Sequence, residues 1–229
     1  MYGYLKTYLG IGEEVDISED LARVIIRDVL ETVTSGYSSK PDLEAIIRRI
    51  RRNRDMIYEL IVSKILEHIE KPTPRQLEFI ICNGGKAIIP EINRLYKLVL
   101  LNNREDLMMV LRYVWEKYGP RGFVQCPRCG FKAISPDNHC IICGHVVTDS
   151  YIKSALGFEE KFKTYVKIAS VAELRDVLQL GYILVGEKGV YSPRSSRARI
   201  ENTILYTVYL GKSEVSAIIE EINSRDMEV

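Results

Sequence analysis

Four of the five cysteines in this 229-residue chain stand between positions 126 and 143, and their spacing constrains the fold more than any other feature. They form two matching knuckles, Cys126-Pro127-Arg128-Cys129-Gly130 and Cys140-Ile141-Ile142-Cys143-Gly144, separated by a ten-residue gap between Cys129 and Cys140. A CxxC turn aims both sulfurs at one point, and two such turns facing across a hairpin make the tetrahedral tetrathiolate that zinc prefers. The glycine after each second cysteine takes positive φ at little cost, which lets backbone N–H groups turn towards the sulfurs. A segment this short buries too little apolar surface to fold unaided, so the metal must contribute much of its stability. Four thiolates leave no open coordination position, which makes the expected ion structural rather than catalytic. Arg128 and Lys132 stand near enough to offset the negative charge of such a centre.

Other uses of these cysteines fit less well. Two disulfides call for an oxidising compartment, and Met1–Ile11 does not read as a secretory signal. A thioredoxin-like pair needs a βαβ setting that these glycine-flanked turns lack. An iron–sulfur cluster also uses four cysteines, but paired knuckles with glycine favour a single metal. His139 and His145 flank the second knuckle and read as bystanders, since four sulfurs already complete a set. Cys82, in Phe79-Ile80-Ile81-Cys82, reads as a buried thiol on a helix. The stretch 121–149 resembles the zinc-ribbon family, a small β module of transcription, replication, translation and RNA-processing proteins. The resemblance implies one structural Zn2+ held by Cys126, Cys129, Cys140 and Cys143, and it specifies no biological role.

Helical periodicity fills residues 12–118. Asp16 and Glu19 have capping-box spacing ahead of Leu21–Val33. Pro41 opens a long helix on which Leu43, Ile46, Ile47, Ile50, Ile57, Leu60, Ile61 and Ile65 recur. Thr73-Pro74-Arg75-Gln76 starts another, which Asn83-Gly84-Gly85 ends. Two more are expected from Pro90 to Leu101 and from Arg104 to Tyr118, the second capped by Asn103 and stopped by Gly119-Pro120. Beyond the cysteines the pattern changes. Thr164–Ile168 alternates like a strand, and Val171–Leu180 reads as a helix ended by Gly181. Tyr182–Val185 and Val190-Tyr191 read as a hairpin, Thr203–Leu210 as a strand and Ser213–Ser224 as a helix. The expected layout is a multidomain α+β chain: an α-helical domain over 1–119, a zinc ribbon over 120–150, and a small α+β domain over 151–229 with a mostly antiparallel sheet.

Charge is segregated along this chain. The 32 Lys+Arg nearly balance 31 Asp+Glu, which removes the simplest argument for nucleic-acid binding. That balance is nevertheless a sum of unlike parts. Glu13, Glu14, Asp16, Glu19 and Asp20 make an acidic stretch, whereas Arg48, Arg49, Arg51, Arg52 and Arg54 crowd two helical turns. Arg194, Arg197 and Arg199 form a second basic cluster, in what reads as a mobile loop between strands. Arginine forks match phosphate oxygens, and solvated faces carrying ion pairs to Glu44, Asp55 and Glu59 are the plain alternative. Tyr182, Tyr191, Tyr206 and Tyr209 offer stacking faces or, as is commoner in strands, core partners.

Catalysis is not expected. No phosphate loop, GxSxG elbow, HExxH or GxGxxG fingerprint is present, and Glu159-Glu160-Lys161 carries only a short nuclease-like spacing. With no apolar run long enough to span a membrane, a cytoplasmic chain is expected. Three glutamines among many ionisable residues suggest an archaeal hyperthermophile. The sequence therefore reads first as a non-enzymatic zinc-ribbon scaffold of a nucleic-acid machine, in replication, transcription or RNA processing. In that reading the two arginine clusters touch DNA or RNA phosphates, with other protein subunits as partners. Its alternatives are a pure protein-interaction subunit, faintly similar in layout to the archaeal GINS replication-complex subunits, and a metal-dependent nuclease built on the C-terminal domain.

Overall fold

A computed structural model of the chain describes residues 1–12, 15–37, 41–120, 122, 124–201 and 204–227. Two compact units emerge, Met1–Gly119 and Pro120–Val229. Among the described residues there are twelve α-helices and one three-stranded antiparallel sheet, so the chain is mostly helical within an α+β class. No described helix is long and apolar enough to cross a membrane.

Seven α-helices build the first unit: α1 (Tyr2–Tyr8), α2 (Glu19–Thr34), α3 (Leu43–Arg52), α4 (Arg54–His68), α5 (Pro74–Asn83), α6 (Ile92–Leu101) and α7 (Glu105–Tyr118). The helix α4 is central, packing on α2, α3 and α5, and its Ile57, Ile61, Val62 and Ile65 have no exposed surface. Thr73 and Gln76 close the expected capping box at the head of α5. The Gln76 side chain is buried, yet both its ends are used: it accepts from Thr73 N and donates to the Asp16 carbonyl at 2.7 Å. That bond explains the first correction. Asp16 is drawn into a left-handed conformation (φ 52), and Ser18 caps α2 instead by accepting from Leu21 N. Likewise Asn103 is left-handed (φ 51) rather than a cap, and α7 follows Arg104. Pro41 precedes the helix it was expected to open, for Asp42 caps α3. The long second helix is in fact two, broken at Asn53 (φ −114, ψ 31).

The second unit carries the cysteine segment followed by α8 (Asp149–Ala155), α9 (Phe158–Ile168) and α10 (Val171–Leu180). Then come β1 (Tyr182–Val185), β2 (Val190–Tyr191), α11 (Ser196–Glu201), β3 (Tyr206–Tyr209) and α12 (Lys212–Asp226). The sheet order is β2-β1-β3, with Leu184 opposite Tyr191 and Tyr182 opposite Tyr209. The hairpin, the α10 helix with its left-handed Gly181 (φ 73) and the final helix all stand where the sequence placed them. The β3 strand occupies only part of the expected Thr203–Leu210, and Thr203 lies outside the described residues. The strand expected at Thr164–Ile168 is instead the last turns of α9, whose Phe158, Phe162, Tyr165 and Val166 recur at helical spacing and are buried. The α12 helix locks onto α9 through Arg225, which donates to the carbonyls of Val166, Lys167 and Ala169 at 2.6–2.9 Å, closing the end of that helix.

Candidate metal centre

The two knuckles are built alike. In the first, Gly130 N donates to the Cys126 carbonyl at 2.9 Å and Cys126 N to the Phe131 carbonyl at 2.8 Å. In the second, Gly144 N donates to Cys140 O and Cys140 N to His145 O, both at 2.8 Å. Each turn needs a residue with positive φ after its second cysteine, and Gly130 (φ 77) and Gly144 (φ 71) supply it. Short bridges at Ile134–Cys140 and His139–Val146 hold the knuckles on one hairpin.

Together the turns converge four sulfurs. Cys126 Sγ lies 3.6 Å from Cys143 Sγ, and Cys129 Sγ lies 3.5 Å from Cys140 Sγ. All four stand within 4.8 Å of one another. Sulfurs bound at about 2.3 Å around a tetrahedral centre sit about 3.8 Å apart, so the set fits one ion. Cys126, Cys129 and Cys140 are buried and Cys143 is half-buried, which leaves no wide path for a reacting ligand. The crowding separates the thiols. Cys140 is pushed down, first by the hydrogen bond from Cys129 and then by the N–H groups of Cys143 and Ile142. Cys129 is raised by the same pairing, and Cys143 by burial. Among the described residues this is the only such group of cysteine, histidine and carboxylate side chains. His139 faces away, with Nδ1 2.8 Å from the Asp137 carbonyl.

What spacing did not show is how the cysteine segment is fastened. Tyr206, with 0% exposure on β3, donates to the Ile134 carbonyl at 2.8 Å. Asn138, left-handed at φ 64, donates to Asp149 Oδ1 at 2.8 Å, and Tyr209 N donates to the other oxygen of that carboxylate at 3.3 Å. Tyr151 of α8 donates to the Gln125 carbonyl at 2.7 Å. Phe131, Val124 and Ile134 are buried, as is Tyr206. The only signals of this in sequence were one polar residue in a turn and one tyrosine among strand tyrosines.

The arginines divide into two situations. Of the first cluster, Arg48, Arg51, Arg52 and Arg54 are exposed, and Arg49 is half-buried. Ile46, Ile50 and Ile57 hold the opposite, buried side. Arg48 makes an exposed pair with Glu44 at 3.4 Å. Arg49 lies 5.2 Å over the Tyr37 ring, Arg51 bonds the Tyr8 hydroxyl at 3.0 Å, and Arg54 lies 5.4 Å over Tyr58. None of those tyrosines was singled out from sequence. In the second cluster the expected open loop is partly the helix α11: Arg194 pairs with Asp176 at 2.6 Å and Arg197 with Glu201 at 2.5 Å, while Arg199 is exposed. In the acidic stretch, Glu19 pairs with Lys6 at 2.5 Å, and Glu13 and Glu14 lie outside the described residues.

One further expectation changes. Cys82 is exposed rather than buried, because Leu77, Ile80 and Ile81 take the inner side of α5. Its thiol is raised first by partial burial and then by Glu78 and Asp106. Lys161, the basic member of the nuclease-like spacing, is tied to the β1–β2 turn, donating to Glu187 O at 2.8 Å and Gly186 O at 3.2 Å, and burial lowers its pKa. It edges a cavity of about 450 Å3 that also carries Glu160, Glu173 and Glu201. Those carboxylates do not form a metal-binding group. Glu173 caps Ser170, and Glu201 is engaged by Arg197 and the Tyr191 hydroxyl.

No family model, curated protein or solved structure matches the chain.

Proposed function

We propose that this protein is a non-enzymatic accessory or scaffold subunit of a nucleic-acid machine, stabilised by one structural zinc ion. The observation that carries the metal half of this reading is the closed set of four converging sulfurs. An all-thiolate site suits zinc, keeps it from acting as a Lewis acid towards substrate, and fixes the hairpin on which it sits. The nucleic-acid half is supported by the exposed guanidiniums of Arg48, Arg51, Arg52 and Arg54, of which only Arg48 has an acidic partner at ion-pair distance among the described residues. Arg194 and Arg197 give weaker support, since each has a carboxylate partner that phosphate would have to displace.

Binding to generic DNA or RNA should weaken steeply as salt rises. Replacing Arg48, Arg51 and Arg52 together by alanine should flatten the log–log slope by about one for each phosphate contact removed. Binding that ignores salt, or no binding, would refute the nucleic-acid half. The protein-interaction reading gains from one observation: Leu101, Met109 and Tyr113 are 79%, 66% and 62% exposed on α6 and α7.

A further inference from the structure

The arginine row does not end in open solvent. Its last member, Arg54, lines a cleft of about 280 Å3 between α4, α5 and α7 of the first unit. Cations and aromatic faces alternate there. Arg54 lies over Tyr58, and Lys117 lies 4.9 Å from the centre of the Tyr118 ring and 6.0 Å from that of Tyr113. The same pairing stands on both flanks of α3. Arg49 covers Tyr37 on one side; on the other, Arg51 meets Tyr8, whose ring stacks nearly parallel to Tyr4. Tyr4, Tyr37 and Tyr113 are 53%, 42% and 62% exposed, so their rings remain open to a ligand.

Cations recognise phosphate, and exposed rings recognise flat π systems. A sugar–phosphate strand with unpaired bases presents both, alternating at short intervals. A duplex keeps its base faces stacked inside, and an acidic protein surface gives these rings little to stack on. Two carboxylates, Asp55 and Glu59, also line the cleft. Glu59 is already engaged by Lys86, through its N–H at 3.1 Å and its ammonium at 3.5 Å. Asp55 lies close enough to Lys117 to interact with its charge, and Asn83, whose amide donates to the Phe79 carbonyl at 2.9 Å, lines the cleft beside it.

We infer that the ligand of this face is single-stranded nucleic acid, with the α3 arginines holding phosphates and one unpaired base entering the cleft of Tyr58, Tyr113 and Tyr118. The inference rests on the arginine reading above and adds the class of strand. The test is fluorescence anisotropy of the full chain with labelled oligothymidylate of about 16 nucleotides and with a duplex of equal length at one ionic strength. The strand should bind roughly tenfold tighter than the duplex, because only unpaired bases reach the rings. Tyr113→Ala should cost the strand roughly tenfold and leave the duplex unchanged, while Tyr113→Phe restores strand binding. Tyr113 is mostly exposed, and circular dichroism checks that the variants remain folded. Equal affinity for strand and duplex, with Tyr113→Ala silent, overturns this inference and leaves the arginine reading standing. No binding of either overturns both. Displacement of the strand by poly-glutamate as effectively as by unlabelled oligothymidylate of matched charge also overturns it, in favour of an acidic protein partner.

Discussion

Removing one oxygen atom tests how far the metal-binding hairpin depends on the sheet behind it. In Tyr206→Phe the ring remains and the hydroxyl that donates to Ile134 O at 2.8 Å is lost. Both residues are buried, at 0% and 1% exposure, so water does not replace the donor. An exposed bond of this kind is worth about 1 kcal/mol, but a buried acceptor left unpaired raises the loss to about 1–3 kcal/mol. For a chain of this length each kcal/mol moves Tm by about 2–4 °C. The zinc-loaded variant should therefore melt about 2–12 °C below the parent. Ile134 bridges Cys140 across the hairpin, so the freed carbonyl loosens the strand that presents a ligand. Zinc transfer to a chromogenic chelator should accelerate in parallel. Calorimetry and a chelator time course read the two effects. A Tm within about 1 °C of the parent, with unchanged zinc release, would refute the coupling.

Two other outcomes follow from the same geometry. Cys126→Ser should lose stoichiometric zinc in metal analysis and melt more than about 10 °C lower, and a variant that keeps both metal and Tm would remove the structural site. Asp106 is held down to about 2, chiefly by its forked bond with Arg104, which also reaches Glu78 of α5. An aspartate depressed below its ordinary value near about 3.9 stabilises fully above that value and loses the contribution as pH falls through about 2. Asp106→Asn should therefore lower Tm at neutral pH and converge on the parent near that acidic limit; a difference independent of pH would refute the pairing.

The parts of this fold legible in sequence are those whose cause is local. Thr73 and Gln76 cap each other three residues apart, Gly181 turns where only glycine does so cheaply, and each CxxCG knuckle closes on itself. The misreadings came where distant chain decides. Asp16 was drawn out of its capping role by Gln76, sixty positions on. Five residues of α9 alternate by chance, and only the inclusion of Phe158 and Phe162 reveals the helical stripe. Cys82 follows Ile80 and Ile81 in sequence, yet one further step of about 100° around the helix carries it out of the core. The fastening of the cysteine hairpin, from Tyr206 to Ile134 across seventy-two positions, leaves no periodic trace at all.

The break at Asn53 shows how one such miss bears on function. In an unbroken helix, Arg54 would fall one turn after Ile50 and beside Ile57, on the buried stripe. A guanidinium there would have to be desolvated without a partner, a cost that helix continuity does not repay. Asn53 resolves the conflict, because its side chain donates to the Arg49 carbonyl at 3.0 Å and terminates α3, while its own carbonyl accepts from Ile57 N and starts α4. The register shifts, Ile57 stays in the core, and Arg54 turns outward over Tyr58. The kink that keeps the apolar stripe intact is thus the same kink that carries the basic row from α3 to the edge of the aromatic cleft.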